Sequence, residues 1–157
     1  MEVIISQFKI YKSSILKTQS KTAITVETNL NAPIGKVWKY WTDPKHITRW
    51  YNASDDWHAP YAENDLKING KFKTNMAAKD GSAAFDFEGV YTNIRENELI
   101  EYNIIDGRKV SITFTATGNQ TKVVESFEPE NIHSLELQQG GWQSILDNFK
   151  KYTEEDK

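Results

Sequence analysis

The sequence of 157 residues contains no cysteine and only 3 histidines. Disulfide bonds, thiolate zinc sites and a cysteine nucleophile are therefore excluded together. Neither sign of charge predominates, because 19 Lys and Arg stand against 22 Asp and Glu, for a net charge of −3. Such a chain has no long-range attraction for phosphate backbones or anionic lipid, and we expect no nucleic-acid partner.

Long apolar segments and familiar catalytic motifs are also missing. No run approaches the roughly 20 apolar residues that cross a bilayer, and we expect no membrane insertion. Polar residues interrupt the apolar positions near the N-terminus, and no small-residue cleavage site follows them, so this segment does not have the pattern of an export signal. We therefore expect a cytoplasmic protein. No Gly-rich phosphate loop, Gly-x-Ser-x-Gly elbow or HExxH pair occurs. Kinase, dinucleotide-dependent and hydrolase functions lose their usual support, and we expect no cofactor.

Aromatic residues, by contrast, are abundant. Five Trp, seven Tyr and seven Phe make up 12% of the residues. Such large flat side chains either fill a core or line a cavity. The length fits one domain, which we place at residues 21–155 behind an extension formed by residues 1–20. Apolar positions in this extension, such as Val3, Ile5 and Phe8, could pair with a sheet edge or a second copy of the chain, so a homodimer stays open.

The pattern of apolar and polar residues predicts the order of the secondary structure. β-branched residues at 22–29 favour a first strand, and Pro33 and Pro44 each precede apolar residues at helical spacing, which predicts two short helices. The polar segment 52–63 is typical of a loop. Hairpin turns then separate six strands, which we place at 66–68, 71–77, 83–94, 99–105, 108–117 and 121–127.

A long amphipathic helix follows from about Ser134. Gly140 and Gly141 in its interior each cost roughly 1 kcal/mol relative to alanine, so either the helix bends there or something approaches its backbone closely. A sheet of six or seven strands needs a cover for its apolar face, and this helix is the only long one available. The sequence thus predicts an α+β domain in which a curved antiparallel sheet encloses a cavity over the C-terminal helix.

Several short motifs also resemble a known family. They are Ala32-Pro33, Val37-Trp38, Trp41-Thr42-Asp43-Pro44, Asn69-Gly70-Lys71-Phe72, Glu88-Gly89-Val90-Tyr91 and Gly141-Trp142. Their order and spacing over residues 22–153 resemble the family named after the activator of the ninety-kilodalton heat-shock protein ATPase, within the START-like superfamily. The resemblance implies a helix-grip fold, as in birch-pollen-allergen-like proteins, with an internal hydrophobic cavity. It implies no single activity, because members of the fold bind lipids, hormones or polyketides, catalyse cyclisation, or contact a chaperone.

Alternate residues of a strand point to opposite faces of its sheet, so position along a strand predicts which side chains face the interior. By this rule Phe85, Phe87 and Tyr91 share one face of their strand. Tyr102 and Phe114 belong to the inward faces of the strands that follow. We therefore expect these five aromatic side chains to point towards the C-terminal helix.

The last predicted strand combines a carboxylate with this inward pattern, because Val123, Glu125 and Phe127 share a face. If Glu125 is buried, it must meet a partner or a polar ligand group, or its pKa must rise. Alternatively, the strand bulges or its phase differs, so that Val124 points inward and Glu125 is solvated. The sequence leaves both interpretations open.

These positions define a candidate site for a small hydrophobic ligand, lipid-like or polyketide-like. The predicted lining comprises Trp57 at the mouth, Arg108 or Glu125 as a polar anchor, and the aromatic residues Phe85, Phe87, Tyr91, Tyr102, Phe114 and Trp142. The alternative for each aromatic residue is that it fills a dry core. Two other functions also stay open, a cyclase or aromatase-like enzyme and a protein-interaction module that contacts a chaperone.

Metal ligation receives little support from the sequence. Asp55, Asp56, His58 and Glu63 include the correct ligand types, but one histidine without helical or hairpin spacing is a weak signal. We expect this cluster to be a solvated loop that binds no metal.

Overall fold

A computed structural model describes residues 22–157 of the protein. The predicted extension, residues 1–20, lies outside these described residues. Within them the first strand, the two short helices, the last five of the six predicted strands and the long helix are confirmed, whereas the first of the six strands lies at other residues than predicted. The elements are β1 (Ile24–Leu30), α1 (Ile34–Thr42), α2 (Pro44–Trp50), β2 (Trp57–Asn64), β3 (Lys71–Ala78), β4 (Ala84–Arg95), β5 (Leu99–Ile104), β6 (Lys109–Thr117), β7 (Gln120–Phe127) and α3 (Leu135–Glu155).

The seven strands form one antiparallel sheet in the order β1-β7-β6-β5-β4-β3-β2. The sheet curls into a half-barrel, and α3 packs against the face that carries the buried aromatic residues. Phe127 of β7 stacks on Trp142 of α3, with 3.9 Å between the ring centroids. Leu146 and Phe149, one and two turns further along α3, are completely buried. The predicted α+β helix-grip fold is therefore confirmed.

Side-chain caps define the starts of two helices. The Asp43 side chain accepts a hydrogen bond from the Lys45 N–H at 2.9 Å, directly before α2 begins at Pro44. The Ser134 side chain accepts one from the Leu137 N–H at 3.1 Å at the start of α3. Each such cap stabilises a helix by about 1 kcal/mol. No helix within residues 22–157 is long and apolar enough to cross a bilayer.

The segment 52–63, predicted as a loop, contains most of strand β2, so that prediction is wrong. Its proline misled the sequence pattern, because Pro60 lacks the N–H that an interior strand must donate. β2 is the outermost strand of the sheet, where proline is tolerated, and the pairing with β3 shifts register around Pro60. The strand predicted at 66–68 is also wrong, because those residues belong to the turn that leads into β3.

Strand β1 forms the opposite edge of the sheet, and side chains of α3 cover its free carbonyl groups. Gln139 donates to the Thr25 carbonyl at 3.3 Å and Gln143 donates to the Glu27 carbonyl at 3.1 Å. Lys150 donates to the carbonyl of Asn29. Because these three acceptors lie on alternate residues of β1, the helix satisfies its outward-facing carbonyl groups one after another.

Two glycines show that packing is tight within the sheet and loose near the start of α3. A Cβ atom at Gly89 of β4 would lie 2.6 Å from the Phe72 ring and 2.6 Å from the Asn103 carbonyl oxygen, so the ring of Phe72 depends on this glycine for its position. Among residues 22–157 no heavy atom lies within 4 Å of a Cβ atom built at Gly140. The close approach that the sequence suggested at Gly140 is therefore not found.

We predict opposite effects for alanine at these two positions. Gly89→Ala should lower the free energy of unfolding by about 1–3 kcal/mol, because the new methyl group overlaps a ring and a carbonyl group. Gly140→Ala should raise it by about 0.5–1 kcal/mol, because alanine favours the helix and meets no neighbour. Urea unfolding monitored by circular dichroism measures both changes. Equal destabilisation by the two variants would contradict this packing.

Candidate ligand-binding site

Side chains fill most of the interior between the sheet and α3. Two small, partly open spaces remain beside the buried aromatic residues, of about 40 Å³ and about 10 Å³. Because a space of about 10–15 Å³ holds one water molecule, the larger has room for a few waters and the smaller for at most one. Between the sheet and α3, residues 22–157 therefore leave no room for a molecule of fatty-acid size unless side chains move.

The larger space, which we call the tyrosine cavity, lies between α2 and strands β2–β6. Its polar lining comes from Tyr51, Glu63, Asn64, Thr74, Tyr91 and Tyr102. The Tyr91 hydroxyl donates to the Asn64 side chain at 2.6 Å, and this amide donates in turn to a backbone carbonyl of α1 at 2.7 Å. The hydroxyl groups of Tyr51, Thr74 and Tyr102, which line the cavity, form no hydrogen bond with another side chain or backbone group of residues 22–157.

The smaller space, which we call the glutamate void, lies between β7, β4 and α3 and contacts Glu125 and Trp142. Glu125 is only 6% exposed. Its carboxyl group makes no hydrogen bond or ion pair with any other described residue, and burial raises the pKa of Glu125 to about 8. The Trp142 indole N–H is also buried without a partner in this part of the chain. The void thus brings together two polar groups that lack partners.

The position of Glu125 follows from the pairing of β7 with both neighbouring strands. Glu125 lies opposite Val26 of β1 and Ile112 of β6, both of which are buried, and the register runs through without a shift. Val123 and Phe127 on the same face are completely buried. The interpretation in which the strand bulges and Glu125 is solvated is therefore wrong.

The ionisable groups around these spaces are mostly uncharged at neutral pH. Burial raises the pKa of Tyr51 and of Tyr102 well above the ordinary tyrosine value, and the charge of Glu125 adds to both effects. Burial also raises the pKa of Tyr91, against the opposing effect of its hydrogen bond to Asn64. Since Glu125 is itself mostly protonated at pH 7, the glutamate void offers a neutral hydrogen-bonding group rather than a charge.

Five of the predicted site residues line the two spaces. Tyr91 and Tyr102 contact the tyrosine cavity, whereas Phe87, Glu125 and Trp142 contact the glutamate void. They come from three strands, β4, β5 and β7, and from helix α3, and the fold alone brings them together.

The other four predicted site residues lie elsewhere. Trp57 and Phe85 pair edge-to-face at the β2 side of the sheet, with ring centroids 6.2 Å apart. Phe114 packs against the rings of α1. Arg108, beside the β5–β6 turn, pairs with the Asp106 carboxylate at 2.9 Å and donates to a backbone carbonyl at 3.1 Å. These contacts give each of the four a structural environment apart from the two spaces.

Sequence reasoning missed several residues of the site, among them Trp41, Tyr51, Asn64 and Thr74. One signal was present for Thr74, because it lies two residues after Phe72 on the same face of β3. No comparable signal marked Asn64, which directly follows the segment 52–63 that was predicted as a loop. Tyr51 directly follows α2, where the helical pattern ends.

Histidine and carboxylate residues do not gather into a metal site in the described part of the chain. Asp55, Asp56, His58 and Glu63 are all exposed, and the last two belong to β2 rather than to a loop. His46, at α2, stacks on Tyr40, with 3.7 Å between ring centroids.

Comparison with known proteins defines the family of this fold. The model of the family described as activator of Hsp90 ATPase homolog 1-like protein matches residues 31–154. The chain belongs to this family. No curated protein sequence matches the chain significantly.

Several solved structures are similar to this chain over most of their length. A protein from Cytophaga hutchinsonii is 60% identical, with a TM-score of 0.74 over 84% of this chain and 92% of its own. The AHSA1-like protein from Aeromonas hydrophila is 41% identical, with a TM-score of 0.76 over 83% of this chain and 92% of its own. A protein from Nitrosomonas europaea, 15% identical with a TM-score of 0.75 over 90% and 99% of the two chains, shares the fold.

We predict that Glu125 makes the stability of this family member fall as pH rises. Its native pKa of about 8 lies above the ordinary value of 4.5, so between these values the native state holds a proton that the unfolded chain has released. The free energy of unfolding should therefore decrease with pH in this window, by up to about 1.4 kcal/mol per pH unit. Glu125→Gln should remove this dependence.

Urea unfolding at pH 5, 6, 7 and 8 measures the effect. Glu98→Gln, at an exposed turn position, is the matched control and should keep the wild-type dependence. If wild type and Glu125→Gln lose stability in parallel, Glu125 is not the buried neutral acid described here.

Proposed function

We propose that this protein binds a small apolar molecule, lipid-like or polyketide-like, that carries one hydrogen-bonding group, and that Glu125 holds this group inside the fold. The observation that supports the proposal most directly is the buried Glu125 carboxyl group, which has no partner among residues 22–157. A buried polar group left unpaired costs about 1–3 kcal/mol. A ligand hydroxyl or carbonyl group in the glutamate void would recover this free energy.

The glutamate void holds at most one water molecule, so the ligand must displace side chains around Glu125, and the nature of these side chains suits an apolar molecule. Rings of Trp50, Phe87 and Trp142 surround the void together with Ile145, and apolar contact with them would contribute roughly 25 cal/mol for each Å² removed from water. The mostly neutral state of Glu125 at pH 7 favours an uncharged polar group, because a charged one would have to lose its water without a counter-ion.

Acid–base catalysis of the cyclase kind is the second candidate function. Its support is the pKa of Glu125, about 8, which is close to the range in which a general acid works well at neutral pH. A catalyst also needs a second positioned group, however, and no described residue forms a hydrogen bond with Glu125. Binding is therefore the function that the geometry supports best.

Binding can be tested with a pair of probes that differ in one hydroxyl group, 2-naphthol and naphthalene, beside a panel of fatty acids and larger phenols. Saturation-transfer NMR with the full chain should detect 2-naphthol. Glu125→Leu should weaken 2-naphthol about ten-fold, because the hydroxyl group loses its partner, but should leave naphthalene binding intact.

Glu98→Gln, the exposed control, should bind both probes as the wild type does. Absence of any binder in the whole panel would overturn the proposal. Equal weakening of both probes by Glu125→Leu would show that the carboxyl group is not the anchor.

A further inference from the structure

Three side chains separate the tyrosine cavity from the glutamate void. Trp41, Trp50 and Tyr51 line both spaces, and these three are the lining residues that the two spaces share. The two spaces are therefore neighbours, and a movement of one of these side chains would join them into a single elongated cavity.

The two tryptophans are firmly held. The Trp50 indole N–H donates to the Tyr40 carbonyl at 3.0 Å, and its side chain is only 1% exposed. Its ring packs against Trp41 and Phe149, with centroids 5.0 and 4.7 Å away. The Trp41 ring makes edge-to-face contacts with Phe114 and Phe149 at 5.7 and 4.8 Å. Moving either ring would disrupt the core around α1 and α3.

Tyr51 is held by fewer contacts. Tyr51 is half-buried and directly follows α2, at the start of a segment without regular secondary structure. Its ring contacts Trp50 and Phe87, with centroids 5.0 and 6.1 Å away, and its hydroxyl group forms no hydrogen bond within residues 22–157. Of the three shared side chains, Tyr51 can therefore move at the smallest cost.

We propose that Tyr51 is the specificity-determining residue of the ligand site, and that its ring swings away to admit a flat neutral molecule that spans both spaces. One hydrogen-bonding group of this molecule would meet Glu125, and a second at its other end would meet the hydroxyl groups of Thr74 and Tyr102. This inference rests on the proposed function, and it adds the length and the two-ended chemistry of the ligand.

The contacts at the second end of the ligand come from two buried hydroxyl groups. Thr74 and Tyr102 are 4% and 5% exposed, and neither hydroxyl group has a partner in the described chain. A hydroxyl group can donate or accept, so these two suit a second hydroxyl or carbonyl group of the ligand. The space that the Tyr51 ring vacates has the shape of a six-membered aromatic ring, which a flat ligand fills without strain.

The test compares 4,4′-dihydroxybiphenyl, which carries a hydroxyl group at each end, with 4-hydroxybiphenyl, which carries one. Titration calorimetry with the wild-type full chain should give at least ten-fold tighter binding of the two-ended probe. Thr74→Val should reduce this advantage to less than three-fold without weakening the one-ended probe. Thr115→Val, at an exposed position on β6, should retain the advantage.

Tyr51→Ala should bind both probes at least five-fold more tightly than the wild type, because no ring has to be displaced. Leu137→Ala, an exposed apolar position of α3, should match the wild type. This inference would be overturned if the wild type bound both probes with equal affinity, and if Glu125→Leu weakened this binding while Thr74→Val and Tyr51→Ala left it unchanged. The proposed function would then still stand.

Two further outcomes are decisive. If neither probe binds the wild type but both bind Tyr51→Ala, the ring does not swing away and the inference is wrong. If neither probe binds either protein, and the wider panel also gives no binder, the proposed function fails together with the inference.

Discussion

The stack of Trp142 on Phe127 joins the two layers of this protein. With ring centroids 3.9 Å apart and planes inclined by 10°, the pair fixes α3 against β7, the strand next to the β1 edge of the sheet. Because Phe127 ends β7, the contact also sets the depth at which Glu125, two residues earlier, enters the interior. The remaining inward aromatic residues then pack around this pair, and the two small spaces arise where their shapes do not fit together.

The interior is therefore a core with two polar defects rather than an open container. Apolar side chains fill most of it, while an unpaired carboxyl group, an indole N–H and three hydroxyl groups remain inside. Each of these polar groups weakens the fold when it has no partner. A molecule that supplied the missing hydrogen bonds would be bound and would stabilise the fold in the same step.

Sequence patterns predicted the elements that follow a strict period. Strand alternation placed Phe87, Tyr91 and Tyr102 on the inward face, and the spacing of Trp142, Leu146 and Phe149 predicted the long helix. The same rule left the orientation of the Glu125 side chain undecided, because alternation cannot distinguish a buried acid from a strand with a shifted phase. Only the pairing of β7 with its two neighbouring strands decides between them. Tyr51 and Asn64 lie at the ends of elements, where no period marks a side chain, and β2 was hidden by its proline.

The hydrogen bonds from α3 to β1 limit how copies of this domain can join. An exposed strand edge normally offers carbonyl groups to a strand from another molecule, but Gln139, Gln143 and Lys150 already occupy those of β1. At the other edge the register of β2 shifts around Pro60, which has no N–H to offer to a further strand. Fibril growth by strand addition is thereby hindered at both margins, by a helix at one and by an imino acid at the other.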